Sequence, residues 1–264
     1  MDIAFVMQGR PRRHPIWSAV GDRLTARGAR ISFLWPDAEL VDLGRVRAEH
    51  DLYVIKSGSP LGMSVAGALH AAGARTFTPY PVAALCRDKI ITSQVLAAAG
   101  VPVPDTWVTT DREHLAALLE SGPIVVKPYR GSRGAGVRVV ADRAELAAID
   151  AGDSAPLFAQ RWHAPDGTGL DQKMYMIGGE LFGVRRVWPS RTWQDKLGRP
   201  FTPDDQLRRI GAQCAAALGI DTFGFDVVFS EGRPYVVDLS GLPGFKGVPD
   251  GPELLAGAIA RAAA

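Results

Sequence analysis

Cysteine is scarce in this chain, with two residues in 264, Cys86 and Cys214, far apart in the sequence. They match no zinc-ligand spacing and make no disulfide framework, so both are expected to be structural thiols. Long apolar runs are also missing. The longest, such as Val95 to Val101, fall far short of the ~20 residues of a membrane helix, so no membrane association is expected. The opening residues MDIAFVMQGRPRRHP have no basic segment ahead of the apolar stretch. They read directly as a strand rather than a signal peptide, and a cytoplasmic location is expected. An excess of one charge is absent as well: 30 Lys and Arg against 28 Asp and Glu leave +2, which gives no reason to expect nucleic acid as a partner. What remains is 47% hydrophobic and 22% charged, the balance of an ordinary globular chain long enough for one large domain or two to three small ones.

Periodicity divides the chain into alternating strands and helices. Ile3–Met7, Ile31–Trp35 and Leu52–Ile55 read as strands, with a short strand at Thr76–Thr78. Helices are expected over Pro15–Ala26, stopped by Gly28, and over Leu61–Ala72, closed by Gly73. This alternation implies a mostly parallel sheet with ligands at the carboxyl ends of its strands. Two basic features sit there: Arg10, Arg12, Arg13 and His14 after the first strand, and Lys56 before Ser57-Gly58. They are either a solvated surface or a holder of an anionic group. A long helix is expected from Val82 to Ala99. The run Val101-Pro102-Val103-Pro104 then enforces an extended connection. A second α/β region runs to about residue 165. Beyond it come strands at Lys173–Ile177 and Leu181–Arg186, a helix over Asp204–Leu218, a hairpin near 223–239 and a last helix, Glu253–Ala263.

The hairpin DTFGFDVVFSEGRPYVVDLSGLPG is the sharpest feature. Alternation puts Asp238 and Ser240 on one face. Glu231-Gly232-Arg233 lies midway between the acids, since (226 + 238)/2 = 232. A regular hairpin therefore sets Asp226 opposite Asp238, and a one-residue bulge would separate them. Facing carboxylates repel unless a proton or cation lies between them. Oxygen ligands without histidine suit magnesium, or manganese, better than zinc. The alternative is a solvated acidic face.

Ile124-Val125-Val126-Lys127-Pro128 reads as a strand with Lys127 on the face opposite Ile124 and Val126. It enters Gly131-Ser132-Arg133-Gly134-Ala135-Gly136 and then a second strand, Val137–Val140. Such a loop lets backbone N–H groups approach phosphate oxygens, although an ordinary glycine-rich turn has the same composition. It follows neither the P-loop nor the dinucleotide pattern, and a strand rather than a helix comes after it.

Taken in order, five runs resemble the ATP-grasp superfamily: DKIITSQVLAAAGVPVPDT, IVVKPYRGSRGAGV, FAQRW, DQKMYMIGGELFGVRR and the hairpin. The resemblance covers roughly residues 80–250 and is nearest to the RimK-like amino-acid ligases and the inositol trisphosphate 5/6-kinases. It implies an α/β and α+β fold in which two α+β lobes sandwich ATP, preceded by a small Rossmann-like α/β domain. The expected divisions are 1–85, 86–165 with the glycine-rich loop, and 166–264 with the metal site. The resemblance also implies roles. Lys89 and Lys127 would contact the α- and β-phosphates, and Gly131, Ser132, Arg133, Gly134 and Gly136 would fold over the β/γ end. Backbone groups of Gln160, Arg161 and Trp162 would read adenine, with Asp171 near the ribose. Lys173 and Arg186 would face the transferred phosphoryl or the acceptor. Asp226, Asp238 and Ser240 would hold Mg2+, with Ser240 standing where the family usually has asparagine.

Three readings follow. The first is an ATP- and Mg2+-dependent ligase that activates a small carboxylate as an acyl phosphate and joins it to an amine. The second is a kinase that phosphorylates a hydroxyl, for which Lys56 and the run at Pro243–Val248 speak. The third is a non-catalytic nucleotide-binding module. The acceptor is expected to be a small anionic molecule met by Arg12, Arg13, Lys56 and Gly244, with Trp188–Pro203 as a flap over it. Homo-oligomers are common among such relatives, so a homo-oligomer is a further expectation of the resemblance.

Overall fold

The computed structural model describes residues 1–10, 14–131, 134–149, 156–167, 170–187 and 192–264, without the side chains of residues 170 and 193. Three sheets organise them. In the first, β1 (Asp2–Met7) lies between β2 (Arg30–Leu34) and β3 (Leu52–Lys56), all parallel. Helix α1 (Pro15–Ala26) crosses over from β1 to β2, and α2 (Pro60–Ala71) follows β3. Of the short strand expected at Thr76–Thr78 only the parallel bridge Tyr53–Thr76 forms. The second sheet has the order β4-β7-β5-β6, from Thr106–Thr109, Leu157–Arg161, Ile124–Pro128 and Arg138–Val140. The third has the order β10-β9-β8-β11-β12, from Arg199–Phe201, Glu180–Val187, Leu170–Ile177, Phe223–Ser230 and Arg233–Ser240. Both are antiparallel.

The helix expected over 82–99 is two helices, α3 (Tyr80–Leu85) and α4 (Lys89–Ala98). Asp88 causes the break. Its carboxylate accepts from the N–H groups of Ile90 and Ile91, the local bond that makes aspartate a helix starter. Lys89 thereby becomes the first residue of a new helix.

A short helix α5 (Arg143–Ala147) covers the second sheet, and α6 (Trp193–Leu197) precedes β10. The third sheet packs against α7 (Asp205–Leu218), which buries Leu207, Ile210, Gly211, Cys214 and Leu218 on one stripe. The last helix, α8 (Gly251–Ala263), packs on α1. Its Leu255 and Ile259 share a core with Phe5 and Trp17 of the first sheet's layer and with Tyr175 and Val184 of the third. That shared core fixes the carboxyl ends of β1 and β3 beside the third sheet. Lys56, the last residue of β3, donates to the Leu242 carbonyl at 2.8 Å and lies 5.5 Å from the Trp17 ring centroid.

Two expectations meet a definite local structure. The segment after β9 is no free flap over its second half. There α6 is closed by a Thr192/Asp195 capping box, and β10 joins the sheet beside β9; residues 188–191 lie outside the described residues. Among the described residues no helix is long and apolar enough to cross a membrane.

Candidate active site

The hairpin turn is tighter than the midpoint rule implies. Ser230 pairs with Arg233 across the two residues Glu231 and Gly232, whose φ values of 52° and 73° are those of a type I′ turn. An odd number of residues separates the two acids, so one is left over. It is absorbed on β12, where the register steps from Val227↔Val236 to Asp226↔Asp238, with Val237 as the extra residue. The bulge therefore does not part the carboxylates. It accommodates the surplus while Asp226 and Asp238 stay opposite each other.

The register also lines up charges across the third sheet. Asp226 faces Asp238 on one side and Lys173 on the other, and two residues along β8 Asp171 faces Arg186. Lys173 Nζ donates to Asp226 at 2.8 Å, and Arg186 donates to Asp171 at 3.1 and 2.5 Å and to Asp226 at 3.2 Å. Directly opposed unlike charges stabilise such a ladder, and the bidentate fork is the stronger geometry. Burial by itself would lower the Lys173 pKa, but Asp226, Tyr175 and Asp238 outweigh it and raise it. Burial raises that of Asp171 against the pull of Arg186.

The second sheet supplies the opposite wall. Lys127 on β5 is buried and donates to Gln160 Oε1 on β7 at 2.7 Å and to the Val237 carbonyl on the bulge at 2.9 Å. Desolvation lowers its pKa, with Asp238 opposing and Lys89 adding to the fall. Lys89, at the start of α4, lies 3.7 Å from Asp238 and donates to the Gly131 carbonyl at 3.2 Å. Arg87 approaches from the first layer. Its guanidinium donates to the Gly58 carbonyl at 2.7 Å, burial lowers its pKa, and Asp238 raises it. The glycine loop folds back so that a Cβ on Gly136, at φ +73°, would meet Pro128 Cγ at 2.8 Å; Gly134 is also left-handed.

The structure thus brings Lys89, Lys127, Lys173, Arg186, Asp171, Asp226 and Asp238 together. Ser240 follows Asp238 on the same face, opposite Gly224. Ser132, Arg133, Arg12 and Arg13 lie outside the described residues. Lys56 is tied to the loop after β12, which also carries Gly244. Asp171 is engaged by Arg186 through both oxygens within the charged ladder. The N–H groups of Arg161 and Trp162 donate to Asp105 O and Pro123 O. The Arg161 side chain is a staple onto the carbonyls of Leu118, Gly122 and Pro123, with its guanidinium over Trp107. Sequence reasoning missed Arg87, the side-chain role of Gln160 and the Val237 carbonyl. Only the capping signal at Asp88 was there to be read.

The donor set suits a hard divalent ion. Among the described residues no three His, Cys, Asp or Glu side chains are arranged to hold a metal ion on their own. Two facing carboxylates and a hydroxyl would leave the remaining positions to phosphate oxygens and water, which is how Mg2+ is commonly held.

Residues 86–254 match the family model described as a RimK-like ATP-grasp domain. A probable alpha-L-glutamate ligase of Klebsiella pneumoniae is 29% identical over 174 residues, covering 61% of this chain and 58% of the relative. A ribosomal protein bS6–L-glutamate ligase of Salmonella paratyphi B is 28% identical over 176 residues, with the same coverage. The chain thus spans about 58% of the length of these relatives. The crystal structure of the D-cycloserine synthetase DcsG superposes with a TM-score of 0.80 at 19% identity, with all of both chains covered. With the family model covering well over half of the sequence and the fold shared end to end, this chain belongs to the RimK-like ATP-grasp family.

Proposed function

We propose that the chain is an ATP- and Mg2+-dependent carboxylate–amine ligase. The observation that carries this reading is the facing pair Asp226 and Asp238, enclosed by Lys89, Lys127, Lys173 and Arg186. In this reading residues 1–85 precede the nucleotide-binding unit, 86–165 form the small lobe and 166–264 the large one. Lys89 and Lys127 hold the inner phosphates, and Gly131, Gly134 and Gly136 let the loop close on the outer ones. Mg2+ held by Asp226, Asp238 and the Ser240 hydroxyl would neutralise charge on the β- and γ-phosphates. Arg186 and Lys173 orient the carboxylate oxygen that takes the phosphoryl group and stabilise the charge spread over it in transfer. The amine then attacks the acyl phosphate carbon, forming the amide and expelling phosphate.

Glutamate ligases among the relatives support a ligase over a kinase, and they make glutamate the first amine to test. The acceptor reading remains an anionic carboxylate met from the first layer by Lys56 and the loop carrying Gly244. The assay is release of ADP and phosphate over a panel of amino acids, dipeptides, acidic peptides and polyols, with and without glutamate. Equal amounts of ADP and phosphate with amide formation are expected, and Asp238→Ala should lower turnover about 10²- to 10³-fold, as loss of one pre-organised charge does. Acceptor-dependent ADP without free phosphate would replace this reading by a kinase.

A further inference from the structure

The charged ladder holds more than the ligase reading uses. Both oxygens of Asp226 already carry a cation: Oδ2 has the Lys173 ammonium at 2.8 Å and Oδ1 the Arg186 guanidinium at 3.2 Å. Lys173 is buried and, among the described residues, pairs with no other carboxylate, whereas Arg186 shares one terminal nitrogen between Asp226 and Asp171 and turns its Nε to Asp171. Asp171 holds that fork from directly across the strand pair. A divalent ion at Asp226 meets two positive charges in contact with the same carboxylate, in a half-buried place where water screens them only in part.

We propose that Asp226 exchanges partners. Lys173 and Arg186 neutralise it in the unloaded chain, a divalent ion displaces Lys173 from it on loading, and Asp171 is the positioning residue that keeps Arg186 from taking the vacated oxygen. This rests on the reading of Asp226 and Asp238 as the metal carboxylates, and it adds a consequence. Metal entry releases an ammonium within the site, so the cation that faces the phosphoryl group becomes available only when the metal is in place. Lys173 is then a competitor of the metal, and Asp171, which touches no metal, is its supporter.

Opposite signs make the test. The full-length chain, without nucleotide, is titrated with Mn2+ alone, and free ion is counted by its electron paramagnetic resonance signal. Lys173→Met should tighten Mn2+ uptake about tenfold, and Lys173→Gln serves as a second charge-removing variant if Met fails to fold. Asp171→Asn lets Arg186 collapse onto Asp226 and should weaken uptake about tenfold, the low end for loss of a residue that orients a metal ligand. Asp171→Glu should restore most of it. Thermal midpoints of all variants identify mere unfolding, which weakens uptake in every case and cannot produce tightening. Saturable uptake by the unsubstituted chain with all the charge-removing variants shifted in the same direction overturns the exchange and leaves the ligase reading standing. No saturable uptake by the unsubstituted chain overturns the exchange, and the metal carboxylates are then judged separately by the nucleotide-dependent turnover of Asp238→Ala.

Discussion

Gly247, in the loop that follows β12, offers a test worked from distances alone. A Cβ there would lie 1.8 Å from the Leu197 carbonyl oxygen and 3.0 Å from Val184 Cγ1, on a backbone at φ +79°. Side chains do not approach closer than about 3.0 Å, so Gly247→Ala requires a retreat of at least 3.0 − 1.8 = 1.2 Å. The obstructing atom is backbone, not a side-chain tip that could swing away. The retreat must therefore move the end of α6 or the loop beneath it. A left-handed alanine costs ~1–2 kcal/mol and overpacking a tight contact ~1–3 kcal/mol, together about 2–5 kcal/mol. At roughly 2–4 °C per kcal/mol for a chain of this size, the midpoint should fall on the order of 10 °C. Gly73→Ala is the internal control: φ is +86°, but nothing lies within 4 Å, so only the backbone cost of ~1–2 kcal/mol applies. Thermal unfolding followed by circular dichroism measures both variants, and trypsin cleavage after Lys196 should accelerate in Gly247→Ala alone. Equal losses in the two variants, with no change in cleavage, would refute the reasoning.

Two further outcomes follow from buried groups. Gln160→Leu removes the 2.7 Å acceptor of Lys127; a hydrogen bond to a charged group contributes ~1.5–3 kcal/mol, so the KM for ATP should rise about tenfold or more, measured by initial rates. Burial pushes the thiols of Cys86 and Cys214 up from 9.0 to about 12. Because the folded values are raised, the unfolded chain loses its thiol protons first. Stability is then intact below pH ~9 and lost between there and 12, at about 1.4 kcal/mol per pH unit for each thiol. Denaturant unfolding at stepped pH should show this slope, and Cys214→Ala should reduce it by the share of one thiol.

The strands were legible as short apolar runs or, in the hairpin, as alternation, and the site was legible wherever one residue carries one charge. Lys127 on a strand beside a glycine loop, and two acids flanking a turn, need no partner to be noticed. The break between α3 and α4 was lost because apolar periodicity continues through it, although Asp88 carried the capping signal. The pairing of Asp171 with Arg186 follows from the two-residue Gly178-Gly179 turn that joins β8 to β9, whereas Lys173–Asp226 could not be read, since the offset of β8 against β11 spans a long intervening segment and is set by packing. The turn illustrates a compensation. The midpoint rule assumed three turn residues; the chain uses two and returns the difference as a bulge at Val237.

That bulge has a mechanical consequence. Its carbonyl accepts from Lys127, so one bond fastens the sheet of β5 to the sheet of β12. A lysine ammonium carries three N–H groups, and Gln160 and Val237 take two of them. Under the proposed reading the third would meet a phosphate with the fastening still in place, and both walls of the cleft would then be drawn to the same cation.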